Sequence, residues 1–375
     1  MTATAPPSAD ERIDRLRLIR SENVGPITYR RLMERFGSAT RALDELPGMA
    51  RRGGRRDTPK PATAAIAKAE LDTVQDLGGT SLVLGEPAYP PLLAQIEDAP
   101  PVLHVLGHAA LLKKKTVAVV GARNASANGR RFAREIAAGI GAGGFLVASG
   151  LARGIDAAAH DGALGTGTVA VVAGGVDVIY PASNGKLHQA IQEHGTIIGE
   201  MPPGTEPQAR HFPRRNRMIS GLARGVVVIE AGLKSGSLIT ARMALEQGRE
   251  VFAVPGAPMD PRARGANRLI RQGALLTEGA EDVLEALARP DGPRFAEPDP
   301  APPPDNGAVA PTLDDTEVAR ARTALLDLLD QAPVDVDVLR RESGVHPAML
   351  AAALLELELA GRLERHPGNR VSFVG

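Results

Sequence analysis

Cysteine is absent from this chain, which rules out disulfides, zinc ribbons and thiol nucleophiles together. Tryptophan is absent too, and seven Phe and three Tyr are the only aromatic residues among 375. Proteins that hold single strands commonly stack bases on aromatic platforms. A strand bound here is therefore expected to be held through its backbone, with base identity counting for little. Net charge is also missing: Lys plus Arg and Asp plus Glu stand at 44 each. The molecule as a whole has no general attraction for polyanions, so any such binding must come from charges gathered on one face. No apolar stretch has the length of a membrane span, and MTATAPPSADERIDRLRL lacks a signal-peptide core. The reading is a soluble cytoplasmic protein without a membrane partner, of a length that calls for two or three domains.

Against that neutral background, one segment is strongly cationic. His211–Leu222 reads HFPRRNRMISGL and carries Arg214, Arg215 and Arg217, with Arg210 before it and Arg224 after. No Asp or Glu interrupts residues 207–229. Guanidinium groups grip phosphate oxygens in pairs and keep their charge, so multivalent phosphate is the partner expected of the cluster.

From Thr116 to Ala288, short apolar runs alternate with helical periodicity. The runs are VAVVG (117–121), FLVAS (145–149), TVAVVAG (168–174), TIIGE (196–200), GVVVIE (225–230) and EVFAVPG (250–256). Helical spacing occupies 127–142, 155–164, 183–194, 212–221 and 238–247 between them. Continuous apolar strands alternating with helices predict a doubly wound, mostly parallel α/β sheet covered on both faces. Before it, residues 10–46 read as short helices with a Val24-Gly25-Pro26 turn, a small module of sterile-alpha or helix–hairpin–helix type. Packing for stability and contact with DNA are both open to such a module. The stretch 51–60 (RRGGRRDTPK) reads as a solvated basic loop. Residues 289–312 hold eight prolines and read as an extended linker. Three helices (316–330, 336–343, 347–360) and a Gly-bounded hairpin then predict a winged helix. The third helix carries Glu356 and Glu358 and no Lys or Arg, which favours protein contact over groove entry, while Arg362, Arg365 and Arg370 in the wing keep DNA contact open. The expected domains are thus 1–80 (helical module), 81–288 (Rossmann-like core), 289–312 (linker) and 313–375 (winged helix).

Three turns at the carboxyl edge of the sheet suit anions. The first, Gly121 to Ser126, places Arg123 and backbone N–H groups at a helix start but lacks the GxGxxG dinucleotide fingerprint. The second, Ser149 to Asp156, contains Gly150, Arg153 and Gly154, where small residues let a ligand backbone approach. The third sets Lys234 beside Ser235, Gly236 and Ser237 at another helix start. Ligands of open α/β sheets bind along that edge, so the three turns and the arginine helix are expected to converge into one groove. His104 and His108 stand four apart, but Gly107 breaks any helix that would align them on a metal. Asp156 and Asp177 suit helix caps or arginine orientation better than acid–base work. No metal, cofactor or catalytic residue is expected.

Five blocks in sequence, VVGARNAS, SGLARGIDAAAH, GGVDVIYPASNGKL, HFPRRNRMISGL and EAGLKSGSLITA, resemble the signature of the DNA-processing protein A family (DprA, also called Smf). The resemblance covers about residues 110–285, and the flanking modules are similar to those of the family's extended members. It implies an extended Rossmann-like core that binds single-stranded DNA in a basic groove, without established catalysis. It further implies dimerisation, protection of incoming strands and delivery of a RecA-type recombinase in natural transformation. Carried over, Arg123 and Ser126 sit in the first turn, Arg153 in the second, and Lys186 lines the groove after YPASN. Arg215, Asn216 and Arg217 form the core of the arginine helix, and Ser235–Ser237 make the last turn. Apart from the resemblance, His211 at the start of that helix is a candidate phosphate contact, with a structural, hydrogen-bonded role as the alternative. Arg214 stands where some members carry a small residue, and the block that usually reads GTGLD is Ala173-Gly174-Gly175-Val176-Asp177 here. The competing class is a nucleotide phosphoribohydrolase of lysine-decarboxylase-like type. Its PGGxGT turn and following Glu are missing from EAGLKSGSLITA, where the next Glu is Glu246.

Overall fold

The computed structural model describes residues 7–55, 61–288, 314–366 and 369–374. The chain opens with three helices, α1 (Ala9–Arg20), α2 (Pro26–Phe36) and α3 (Ala39–Arg52), followed by α4 (Ala64–Asp76). Ser8 and Ser38 start α1 and α3 by accepting from the N–H of Glu11 and Arg41, and Gly37 ends α2 at φ 74°. The Gly25-Pro26 pair sets the start of α2 where the sequence turn is expected.

The core sheet has nine strands: β1 (Thr80–Val83), β2 (Val102–Gly107), β3 (Thr116–Gly121), β4 (Leu146–Ser149), β5 (Thr168–Val171), β6 (Thr196–Gly199), β7 (Gly225–Ile229), β8 (Glu250–Ala253) and β9 (Leu275–Leu276). Their spatial order is β1-β2-β6-β5-β4-β3-β7-β8-β9. From β6 to β9 every pairing is parallel, whereas β2 joins β6 and β1 joins β2 antiparallel. The mostly parallel, doubly wound expectation holds, and the antiparallel extension β1–β2 is an addition to it. Helices α5 (Pro91–Ala94), α6 (Ala127–Ala142), α7 (Ile155–Ala163), α8 (Gly185–His194), α9 (His211–Leu222), α10 (Gly236–Glu246), α11 (Arg264–Arg271) and α12 (Ala280–Ala288) cover it. Alternation along β3 sorts the two faces. Val117 and Val119 pack with Ile136 of α6 and Ile155 of α7, while Ala118 and Val120 pack with Met218, Ile219 and Leu222 of α9. Strand order runs outwards from β3 to β6 and then resumes on the other side of β3 with β7. That reversal is the switch point at which a parallel sheet opens a crevice.

The remaining elements are α13 (Asp315–Leu328), β10 (Val334–Asp335), α14 (Val336–Ser343), α15 (Pro347–Leu359), β11 (Leu363–His366) and β12 (Arg370–Phe373), three helices with a small antiparallel sheet. The winged-helix reading holds. The Pro-rich linker lies outside the described residues, as does 56–60 of the basic loop.

Residues 68–288 form one compact unit. A second gathers 8–55 and 61–67 with the described residues between 314 and 374, so the helical module and the winged helix share one body. The reason is a common core: Leu18, Tyr29, Leu32, Leu46 and Met49 cluster with Leu355 and Leu359 of α15. Its polar partners are equally specific. The carboxylate of Glu356, 1% exposed, receives Arg52 Nε at 2.7 Å and Arg322 Nη1 at 2.8 Å. Glu358 accepts from Thr28 Oγ1 at 2.5 Å and from Arg365 Nε at 2.9 Å. The acidic third helix therefore makes contacts within this chain, with the helical module through Arg52 and Thr28 and within the winged helix through Arg322 and Arg365. Of the wing arginines, Arg365 is engaged with Glu358 and Arg362 lies over the Phe373 ring at 5.2 Å.

Candidate nucleic-acid interface

At the carboxyl edge of the sheet, Arg123, Gly150, Ala152, Arg153, Tyr180, Pro181, Ser183, Phe212 and Arg215 line a cleft of about 290 Å3. Loops after β3, β4 and β5 and the first turn of α9 supply them. The loops fit because Gly154, at φ 84°, leaves no space for a Cβ against the carbonyls of Ala122 and Arg123. Ile155 N donates to Ala122 O at 3.2 Å and locks the same contact. Asp156 Oδ2 accepts from the N–H groups of Gly150 (3.2 Å) and Ala152 (3.4 Å), so the second turn is tied from beneath.

Arg215 is the buried floor of the cleft. It is 5% exposed, and its Nη1 donates to Val171 O at 3.0 Å. Burial lowers its pKa to about 10, with Asp156 opposing the shift and Arg123 adding to it, so the guanidinium stays charged at neutral pH. Burial likewise raises the Asp156 carboxyl, against the pull of Arg215 and the two backbone N–H groups. Each charge is made bearable by the other. Arg215 Nε has no hydrogen-bond partner among the described residues. Arg123 and Arg153, by contrast, are exposed at the rim.

The mouth is aromatic, which the composition did not lead one to expect. The rings of Tyr180 and Phe212 meet at 5.7 Å between centroids, tilted by 54°. Tyr180 is 47% exposed. Arg123 Cζ lies 5.0 Å from the Phe212 centroid and Arg215 Cζ 5.9 Å, so the ring bridges rim and floor. Sequence reasoning missed Tyr180 and Phe212 because it counted aromatics over the whole chain. The usable signal was local: each ring sits inside a motif already singled out, YPASN and HFPRRNR.

The other expected site residues divide in two. Arg210, Lys186 and Lys234 are exposed but do not line the cleft, and Arg214 is half-exposed, 3.6 Å from Glu200. The rest are engaged internally. Arg217 is 5% exposed, with Nη2 donating to Glu200 Oε2 at 2.5 Å and Nε lying 3.4 Å from Asp98 Oδ2. It is a buried ion pair rather than part of a phosphate clamp, because Glu200 and Asp98 enter from outside the acid-free run. Ser126 meets an internal anion: its N–H and Oγ donate to the Glu230 carboxylate at 2.8 and 2.5 Å, and Gly129 N donates back to Oγ. The first turn is thus filled by Glu230, which follows β7 beside β3. His211 is buried, and its Nδ1 accepts from Gln208 N at 3.2 Å. Burial, with Arg210 and Arg214 adding and Glu200 opposing, holds its pKa below the usual imidazole value. Asn216 Nδ2 reaches Gly236 O at 3.5 Å and joins α9 to the third turn. In that turn Ser235 Oγ meets Ser237 Oγ at 2.7 Å and caps α10, while Gly236 is exposed. Gly150, Arg153, Arg123 and Arg215 are the expected residues that the fold brings to one cleft.

Among the described residues no group of His, Cys, Asp or Glu could hold a metal ion, and no helix is long and apolar enough to cross a membrane. The cleft lining contains no carboxylate and no imidazole.

The cleft sits in the segment that comparison with known proteins identifies. Residues 80–288 match the family model of DNA recombination-mediator protein A. Residues 9–73 match a DprA-like N-terminal HHH domain and residues 296–369 a DprA winged helix domain. Protein Smf of Escherichia coli is 40% identical over 291 residues, covering 76% of this chain and 74% of its own. The X-ray structure of DNA processing protein A from Streptococcus pneumoniae aligns with a TM-score of 0.62 at 35% identity, over 75% of this chain and 98% of that one. DNA processing protein A from Helicobacter pylori, described by its single-stranded DNA binding mode, aligns at 0.52 and 27% identity, over 56% and 95%. By its core model, both flanking domains and its relatives, this chain belongs to the DNA recombination-mediator protein A family.

Proposed function

We propose that this protein binds single-stranded DNA in the cleft between Arg123, Arg153 and Arg215, and that it does so without catalysis. The observation that carries the reading is the composition of that cleft: two exposed arginines at the rim, a charged arginine as floor, an aromatic pair at the mouth and no carboxylate in the lining. Arginines supply salt-sensitive phosphate contacts, and an exposed ring accepts any base by stacking. The aromatic pair revises the expectation of a purely backbone-led grip: at least one base is stacked on Tyr180. The Helicobacter pylori relative, named for its single-stranded DNA binding mode, supports the same ligand. The phosphoribohydrolase alternative lacks support, since no acid or base lines the cleft and the nearest buried carboxylate, Asp156, is tied to two backbone N–H groups.

In the cell the bound strand would be protected and passed to a RecA-type recombinase, as the family description of recombination mediator suggests. The site of action is the cytoplasm. Homodimerisation is part of the proposal: among the described residues β9 is an edge strand of the sheet, with Leu275 and Leu276 42% and 51% exposed. Fluorescence anisotropy with oligothymidylate and a duplex of the same length, titrated with salt, tests the core claim. Single strands are expected to bind tighter, with affinity falling steeply as salt rises. Equal binding of both forms, or affinity indifferent to salt, would overturn it.

A further inference from the structure

A cleft of about 290 Å3 is at the small end of ligand sites. A strand of any length must therefore leave it along some surface. The loops bordering the cleft follow the order of the strands: β5, β4 and β3 lie under it, and β7 and β8 come next along the same carboxyl edge. Beyond β3, the first surface met is the turn after β7 with exposed Lys234, and the second is α11, which follows β8. The two surfaces are joined. Gly265 N donates to Ala231 O at 2.6 Å, and a Cβ on Gly265 would run into that carbonyl, so the start of α11 is pressed onto the turn. At about 4.8 Å per strand, β8 lies only about 10 Å from β3.

Helix α11 buries Gly265, Ala266 and Leu269 and exposes Arg264, Arg268 and Arg271. Spacing of four and then three residues puts the three guanidinium groups on one stripe, rising about 6 Å and then about 4.5 Å along the axis. Neighbouring carboxylates are engaged elsewhere: Asp260 is gripped by Arg262 through Nε and Nη2, and Glu230 by Ser126. Helix stability does not account for the stripe. Arg268 and Arg271 suit the negative end of the helix dipole, but Arg264 stands at its positive end and the like charges repel.

We infer that the strand path runs out of the cleft, over the Lys234 turn and along α11, where Arg264, Arg268 and Arg271 bind successive backbone phosphates. This rests on the proposed function above. It assigns to α11 a role that none of the five signature blocks covers.

The test uses the full chain and oligothymidylates of about 6 and about 20 nucleotides, which bracket typical single-strand site sizes. The triple variant Arg264→Ala/Arg268→Ala/Arg271→Ala is expected to bind the short oligomer like the parent and the long one about tenfold more weakly. Its salt slope on the long oligomer should fall by about 2, at roughly 0.7 per lost phosphate contact. The charge-conserving Lys triple should recover most of the affinity, which separates lost charge from a damaged helix. Unchanged long-oligomer binding and slope would overturn the inference and hand the stripe to an acidic protein partner. Equal losses on both lengths would also overturn it, since the helix would then be acting on the cleft. If the parent bound no single strand of either length, the functional reading itself would fall, and that failure is read from the parent alone.

Discussion

The guanidinium of Arg215 fills the space that a side chain on residue 150 would need: a Cβ built on Gly150 falls onto Arg215 Nη1. Gly150 is thus small for the sake of an arginine inside the protein as well as for a ligand outside it. Since Arg215 is held by Val171 O and Asp156, it has little freedom to step aside. Gly150→Ala is expected to push the guanidinium off its carbonyl and weaken single-strand binding about tenfold, on the scale of one charge-assisted hydrogen bond. Arg215→Ala should weaken it similarly. Because both changes remove the same group, the double variant should lose no more than either single one. Additive losses in anisotropy would mean that Gly150 and Arg215 act on the strand separately.

That relationship also marks how far the sequence could be read. Strand β3 and helix α6 were legible because a continuous apolar run and helical spacing are local signals, and α6 spans the very residues, 127–142, that the spacing predicts. Arginine density around residue 215 was legible as charge. Which arginine faces outward was not, because that depends on Glu200 and Asp98, brought in by other strands and loops. The same holds for Ser126, whose anion is Glu230, and for the aromatic pair, one member of which lies on the loop after β5 and the other on α9. Short β9 and antiparallel β1 were missed because two to four residues carry too little periodicity to register. The shared core of the second unit joins the two ends of the chain, a pairing to which no local pattern points.

Arg217 and Arg123 should respond in opposite ways to the same substitution. Arg217 is buried against Glu200, so Arg217→Ala takes the closest cation from a carboxylate that is 9% exposed. Breaking a buried pair costs roughly 3–5 kcal/mol. The urea midpoint should fall, while the salt slope of DNA binding in the folded fraction stays put. Arg123 is exposed at the rim. Arg123→Ala should leave stability within about 0.5 kcal/mol and cut the salt slope by about 0.7. A slope loss for Arg217→Ala equal to that for Arg123→Ala would return Arg217 to the phosphate surface.

Tyr180 offers the cleanest test of stacking, since Phe212 also supports Arg123 and Arg215. Tyr180→Ala is expected to cost about 1–3 kcal/mol of binding, the range for one stacked base. An abasic oligomer should bind the parent more weakly and bind Tyr180→Ala no differently from the intact strand. Should the abasic strand bind the parent as well as the intact one, the grip is through the backbone alone.

His160 makes stability depend on pH. It is fully buried, its Nδ1 meets Thr168 Oγ1 at 2.7 Å, and that hydroxyl donates to Val147 O at 2.8 Å. The ring must therefore be the Nδ1–H donor, which leaves Nε2 unprotonated and, among the described residues, without a hydrogen-bond partner. Burial, reinforced by Arg215, holds its pKa at about 3 against an ordinary 6.5. Between those values the unfolded chain carries a proton that the folded chain does not, so stability is lost as pH falls from about 6.5 towards 3. The loss from this group reaches about 3 kcal/mol near pH 4. His160→Asn keeps a donor for Thr168 and removes the titration. Exchange protection of β4 and β5 amides should decline less steeply with acid in the variant, and parallel declines would clear His160 of the effect.

Glu356 is the test of whether the helical module and winged helix are one body. Both its oxygens are engaged, by Arg52 from α3 and by Arg322 from α13, and it sits beside Leu355 and Leu359 in the shared core. Glu356→Ala leaves two arginines facing each other over a cavity, a change of roughly 3 kcal/mol. Leu359→Ala, which removes packing without touching charge, should cost about 2–5 kcal/mol. Because both residues lie on α15, two independent domains would lose exchange protection only in α13, α14 and α15. A shared core requires α1, α2 and α3 to lose it in step. Protection that persisted in α1–α3 while α13–α15 opened would separate the two modules. Their joint opening would mean that α15 is held by the chain itself and is not free to enter a DNA groove.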